Sequence, residues 1–112
     1  MTDCIFCRIA AGEIPADVVA ADERFVAFRD LHPLAEVHLL VVPRRHVASL
    51  NELDGLGDDA GKLLPFIAAT AAASGVADSG YRVVSNTGHD AGQEVMHLHW
   101  HIIGGGRLGG MA

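Results

Sequence analysis

His97-Leu98-His99-Trp100-His101-Ile102-Ile103 alternates imidazole with apolar side chains, and that alternation decides how the chain folds. Successive side chains of a strand point to opposite faces, so His97, His99 and His101 share one face while Leu98, Trp100 and Ile102 face a core. Gly104-Gly105-Gly106 closes the run. Same-face neighbours on a strand lie ~6.6 Å apart, which suits two imidazoles gripping opposite sides of one phosphate. Three readings fit the run. The histidines are solvated on an edge strand, or they form an all-histidine metal site, imidazole being a common transition-metal ligand, or they are catalytic. Catalysis has a specific chemical basis. A neutral imidazole is nucleophilic near pH 7, and a second, protonated imidazole stabilises phosphoryl charge. Hydrogen bonds to each ring then fix which nitrogen carries a proton.

Working outward, Tyr81-Arg82-Val83-Val84-Ser85 reads as another strand and residues 87–92 as a glycine-bounded turn. His38-Leu39-Leu40-Val41-Val42 is a continuous apolar run stopped by Pro43, the pattern of a central strand covered on both faces. Residues 18–20 and 25–28 form a hairpin around Asp22-Glu23-Arg24. Residues 4–12 read as a short helix or turn, ended by Gly12 and Pro15. The main helix is predicted over residues 58–74, with Asp58 or Asp59 as N-cap and Gly75 as C-cap. Leu63, Phe66 or Ile67, and Ala71 mark its buried face, and Pro65 lies in its first turns or kinks it. The order gives an α+β fold: a mostly antiparallel five-stranded sheet, one main helix and a short N-terminal helix.

The 112 residues are expected to form a single domain, residues 1–112. Half are apolar, which excludes disorder and leaves apolar surface to bury between subunits. A net charge of −6, with no basic run beyond Arg44-Arg45, argues against a nucleic-acid polymer as partner. A mononucleotide needs no such charge, because imidazoles and backbone N–H groups can hold one phosphate. MTDCIFCRI lacks the pattern of a secretory leader and no apolar run reaches membrane-spanning length, so a cytoplasmic chain with reduced cysteines is expected, with no membrane partner. By itself Cys4-x-x-Cys7 fits half a zinc site, a redox pair or two buried small residues.

The His-x-His-x-His run, together with Cys4-Ile5-Phe6-Cys7, Gly12-Glu13-Ile14-Pro15, Ala27-Phe28-Arg29-Asp30, His38 to Pro43, Gly80-Tyr81-Arg82, Asn86-x-Gly88 and Gly92-Gln93-Glu94-Val95, resembles the histidine triad (HIT) family. The likeness runs from Cys4 to Leu108 and is nearest to the Hint-like purine nucleoside phosphoramidases. It implies a HIT-like fold whose sheets join in a homodimer. It also implies a hydrolase that cleaves a P–N bond through a covalent nucleotidyl-His99 intermediate, with no cofactor required for catalysis. His99 is then the nucleophile, His101 contacts phosphate and His38 supports the arrangement. Asp30 matches the acceptor of the ribose hydroxyls, with a turn-capping aspartate before Leu31-His32-Pro33 as the lesser alternative. Ile5, Phe6, Ile9, Ile14, Phe28 and Leu31 match an apolar purine slot. Asn86, Gln93, Glu94 and Val95 flank ribose and phosphate; Glu94 stands where other members carry serine, as an acid or facing solvent. The resemblance also completes the Cys4-x-x-Cys7 pair with His46 and His97 as a structural zinc site, which removes His97 from catalysis. The substrate expected is a purine mononucleotide linked to an amine. Hydrolysis of dinucleoside polyphosphates, a binding module with vestigial catalysis and a metal-dependent hydrolase are the rivals.

Overall fold

The computed structural model describes residues 4–110; residues 1–3, part of the N-terminal reading above, and residues 111–112 lie outside it. Its elements are α1 (Ile5–Ala10), β1 (Val18–Ala21), β2 (Phe25–Arg29), β3 (Val37–Pro43), α2 (Leu63–Ala73), β4 (Tyr81–Val84) and β5 (Trp100–Gly104). The strands form one antiparallel sheet in the order β1-β2-β3-β5-β4. Thus β3 is central, as its unbroken apolar run requires, and the last strand inserts between β3 and β4.

Both sheet faces are covered, each by one helix. Alternation along β2 and β3 sends Phe25, Ala27, Leu39 and Val41 to one face, where Ile102 joins them under Leu63, Ile67 and Ala71 of α2. Val26, Phe28, Leu40 and Val42 take the other face, under Phe6 of α1. Because β3 and β5 pair Leu40 with His101 and Leu39 with Ile102, His101 stands on the α1 face and Ile102 on the α2 face. That register places the imidazoles beneath α1. Arg44 ties α1 to the hairpin, donating from Nη1 to the Ala10 carbonyl (2.6 Å) and from Nε to the Asp22 carbonyl (2.8 Å).

Two elements differ from the sequence reading. The helix predicted over 58–74 begins only at Leu63; residues Leu50–Lys62 are 3-10 turns broken at Gly57, whose φ of 57° suits glycine. Asp59 does not cap α2, because its carboxylate pairs with Arg24 Nε at 3.1 Å. Pro65 therefore falls in the first turn of α2, where its missing N–H costs nothing. At the other end Gly75 (φ 81°) follows the Ser74 cap, and Gly75 and Val76 donate to Ala72 and Ala71 in a Schellman closure. The final strand starts at Trp100 rather than His97. Continuing the β3–β5 register would bring Pro43 opposite Leu98, and Pro43 has no N–H to extend the ladder. Leu98 N–H donates instead to the Val47 carbonyl at 2.8 Å, and its side chain enters a separate cluster with Val47 and Leu56. Among the described residues no helix is long and apolar enough to cross a membrane.

Candidate functional site

Under α1 lies a cavity of about 360 Å³ lined by both apolar and polar side chains. Its apolar lining comes from Ile5, Phe6 and Ile9 of α1, with Ile14, Phe28 and Leu40. Leu31 also lines it, from a loop that leaves this side chain 89% exposed. Asp30, His99 and His101 line the same cavity, and Asn86, Gln93, Glu94 and Val95 form the remaining wall. The residues expected to hold a nucleotide from α1, the loop at 30–31 and the turn at 86–95 thus converge on one cavity. His38 stands behind it, its Nε2 2.8 Å from His101 Nδ1.

The nucleophile candidate has a defined tautomer. His99 Nδ1 lies 2.7 Å from the His97 carbonyl, which only accepts, so Nδ1 carries the proton and Nε2 keeps its lone pair. Ser85 Oγ donates to the His99 carbonyl (2.7 Å), and the Phe6 ring packs edge-on against the imidazole with centroids 5.0 Å apart. His99 is buried apart from 8% of its surface. The His101 ring lies 5.3 Å from that of His99, and its pKa is lowered to about 4, first by burial and then by the neighbouring His99 and His38. His38 is also lowered by burial, against the pull of Asp30. Both shifts favour the neutral imidazole at pH 7.

Two expected phosphate or ribose contacts have duties inside the protein. Asp30 Oδ1 accepts from His32 N–H (2.8 Å), the turn-capping role, while Oδ2 lies 3.5 Å from His38 Nε2. Gln93 accepts from Gly88 N–H (2.9 Å) and donates to the carbonyls of Ala48 (2.7 Å) and Val95 (3.0 Å). Its amide is taken up in shaping residues 88–95, so the phosphate contact expected of that amide is not available. Glu94 is exposed at the cavity wall. Leu40 was not singled out in the sequence, although it stands two residues from His38 on the same strand face. Asp17 and Arg29, paired at 3.0 Å on the rim, gave no signal beyond ordinary surface charge.

His97 belongs to a second cluster. The donor atoms of Cys4, Cys7, His46 and His97 lie within 4.8 Å of one another and can hold a metal ion. His97 Nδ1 is 3.2 Å from Cys4 Sγ, 3.4 Å from Cys7 Sγ and 3.1 Å from His46 Nδ1. His97 Nε2 donates to the Pro43 carbonyl at 2.8 Å, which leaves the Nδ1 lone pair facing the sulfurs. A ring N–H fixed on a backbone carbonyl is how metal-ligating histidines are usually oriented, and two cysteines with two histidines are a tetrahedral donor set. The residues present therefore fit a metal ion. Burial lowers the pKa of His97 to about 4, keeping it neutral as a ligand must be.

A five-stranded antiparallel sheet with histidines in the wall of a mainly apolar cavity defines a small fold of the histidine triad class. The HIT domain profile matches residues 11–108, and the chain belongs to the HIT family. It is 38% identical over 110 residues to the purine nucleoside phosphoramidase of Escherichia coli (strain K12), covering 97% of this chain and 92% of that protein. A histidine triad protein from Clostridium difficile superposes with a TM-score of 0.93 at 44% identity, covering 100% of this chain and 98% of that one. A HIT family hydrolase from Legionella pneumophila Philadelphia 1 gives 0.82 at 44% identity, with coverage of 94% and 95%.

Proposed function

We propose that this protein is a hydrolase of purine nucleoside 5′-phosphoramidates. The observation that carries the reading is the His99 imidazole, held with Nδ1–H on the His97 carbonyl, in the wall of a cavity that Ile5, Phe6, Ile9, Ile14 and Phe28 also line. The base enters among Ile5, Phe6, Ile9, Ile14, Phe28 and Leu31, and the ribose hydroxyls donate to Asp30. Asn86 and Val95 lie beside the phosphate, with His101 donating to one of its oxygens. The Nε2 lone pair of His99 attacks phosphorus, the P–N bond breaks and the amine leaves with a proton drawn from water or from Glu94. Water then attacks the nucleotidyl-His99 phosphorus, releasing the nucleoside monophosphate and regenerating the imidazole. Similarity to the Escherichia coli phosphoramidase supports the substrate class.

Zinc is the ion we assign to Cys4, Cys7, His46 and His97; bound there it ties α1 to the segments carrying His46 and His97 and takes no part in the reaction. The assembly is a homodimer formed through β4, an edge strand with Tyr81 and Val83 exposed, and the outer face of α2 with Leu64 exposed. Sedimentation showing only the 11.8 kDa chain at micromolar concentration would remove the dimer from this reading.

The test of function is turnover of an adenosine 5′-phosphoramidate with a fluorescent amine, set beside a dinucleoside polyphosphate at equal concentration, with acid quenching to trap the intermediate. Faster P–N cleavage and a chain heavier by one nucleotidyl group are expected. Preference for P–O–P cleavage would move the assignment to dinucleoside polyphosphate hydrolysis, and saturable nucleotide binding without turnover would make the protein a binding module.

A further inference from the structure

We propose that the backbone N–H of Leu34 is a positioning donor that, acting through His38, fixes the proton of His101 on the nitrogen available to the cavity. The loop at 31–36 looks dispensable: Leu31 is 89% and Leu34 78% exposed. Yet its main chain reaches the imidazole cluster, with Leu34 N–H 3.0 Å from His38 Nδ1. An amide N–H only donates, so His38 Nδ1 must accept and the ring proton of His38 must sit on Nε2. That Nε2 lies 2.8 Å from His101 Nδ1, which must then accept in turn. His101 is left with its single proton on Nε2, the ring nitrogen not engaged by His38. One amide thereby sets two tautomers in series, in a region where His38 is only 4% exposed and water cannot easily compete.

The loop is held for this task. Asp30 N–H donates to the His38 carbonyl (3.0 Å), and Asp30 Oδ1 accepts from His32 N–H (2.8 Å), so the turn before Leu34 is clamped at both its ends. Asp30 Oδ2, 3.5 Å from His38 Nε2, favours the same tautomer, since a carboxylate accepts from an N–H and repels a lone pair. Without the Leu34 amide, His38 can place its proton on Nδ1. His101 then loses the donor that orders it and can present a lone pair, which repels a phosphate oxygen. Donation to a phosphate oxygen rests on the function proposed above; the placement of the protons does not.

The two parts are tested separately. Long-range proton–nitrogen NMR of the ligand-free wild-type protein at pH 8 reads the tautomers directly, and a protonated Nε2 with an unprotonated Nδ1 is expected for both His38 and His101. A proton on Nδ1 of His101 would overturn the proposal whatever the enzyme's substrate. Leu34→Pro removes the N–H while the side chain at this position makes little contact. In the folded variant the His101 signals should shift toward mixed tautomers, and kcat should fall by about 10–100-fold, the usual loss when a histidine's orienting partner is removed. KM should hold, whereas general disruption of the loop would raise KM, because Asp30, Leu31 and His32 line the cavity. Wild-type His101 signals and unchanged kcat in Leu34→Pro would overturn the role of the amide. Should that variant fail to fold, the wild-type spectrum alone decides.

Discussion

Replacing His99 with alanine is expected to reduce phosphoramidate turnover by at least about 10⁴-fold, more than the loss of a group that only moves protons or donates to the phosphate. The reason is chemical. In the proposed route His99 supplies the bonding electron pair, and its Nε2 lone pair is free because Nδ1–H is bound to the His97 carbonyl. His101 and His38 make no bond to phosphorus in the proposed route, so His101→Ala is expected to cost about 10²–10³-fold, the loss of one well-placed donor. Nucleoside monophosphate binding should survive His99→Ala, since the apolar lining of the cavity and Asp30 are untouched. Calorimetric titration with AMP alongside single-turnover kinetics separates the two effects. Turnover within tenfold of wild type in a folded His99→Ala protein would eliminate the nucleotidyl-histidine route.

The second large effect is expected on stability. Removing the metal, by chelation or by Cys7→Ser, should lower Tm by roughly 15–25 °C, which corresponds to about 4 kcal/mol when free metal exceeds Kd about 1,000-fold. The chain should not unfold outright, because the sheet keeps its own cores on both faces. The damage should fall on α1, six residues long, and therefore on Ile5, Phe6 and Ile9 of the cavity wall. The stripped protein should also become sensitive to acid. His97 and His101 are each lowered from 6.5 to about 4, chiefly by burial, so the unfolded chain takes up these protons before the folded one does. Their contribution to stability is complete above about pH 6.5 and is lost as the pH falls towards 4. Elemental analysis of the purified protein and melting with and without chelator across this range check both statements. Substoichiometric metal together with an unchanged Tm would remove the structural role of the cluster.

Much of this arrangement is written in local spacing. The alternation across Trp100 to Ile103 puts His101 on the α1 face and Trp100 and Ile102 on the α2 face, because successive side chains of a strand point to opposite sides. The unbroken run of β3 marks the central strand, since only a strand covered on both faces keeps consecutive apolar residues. The resemblance to HIT proteins named the apolar residues that line the cavity, which composition could not, because Ile9 or Phe28 reads like any other core residue.

What the sequence left open depends on partners distant along the chain. Asp59 looks like a helix cap until Arg24, thirty-five positions earlier, claims its carboxylate, and α2 consequently starts at Leu63. Gln93 looks like a ligand for phosphate until Ala48 and Gly88 take both ends of its amide. His97 repeats the pattern of His99 and His101, yet the end of β3 at Pro43 turns it toward Cys4 and Cys7. Nor does any local signal connect Leu34 with His101, which meet only through His38 across the strand register. Side-chain period and helix stops are set by neighbours a few residues away and can be read in one dimension. Which lone pair meets which proton is set by register and burial, and only the folded chain decides it.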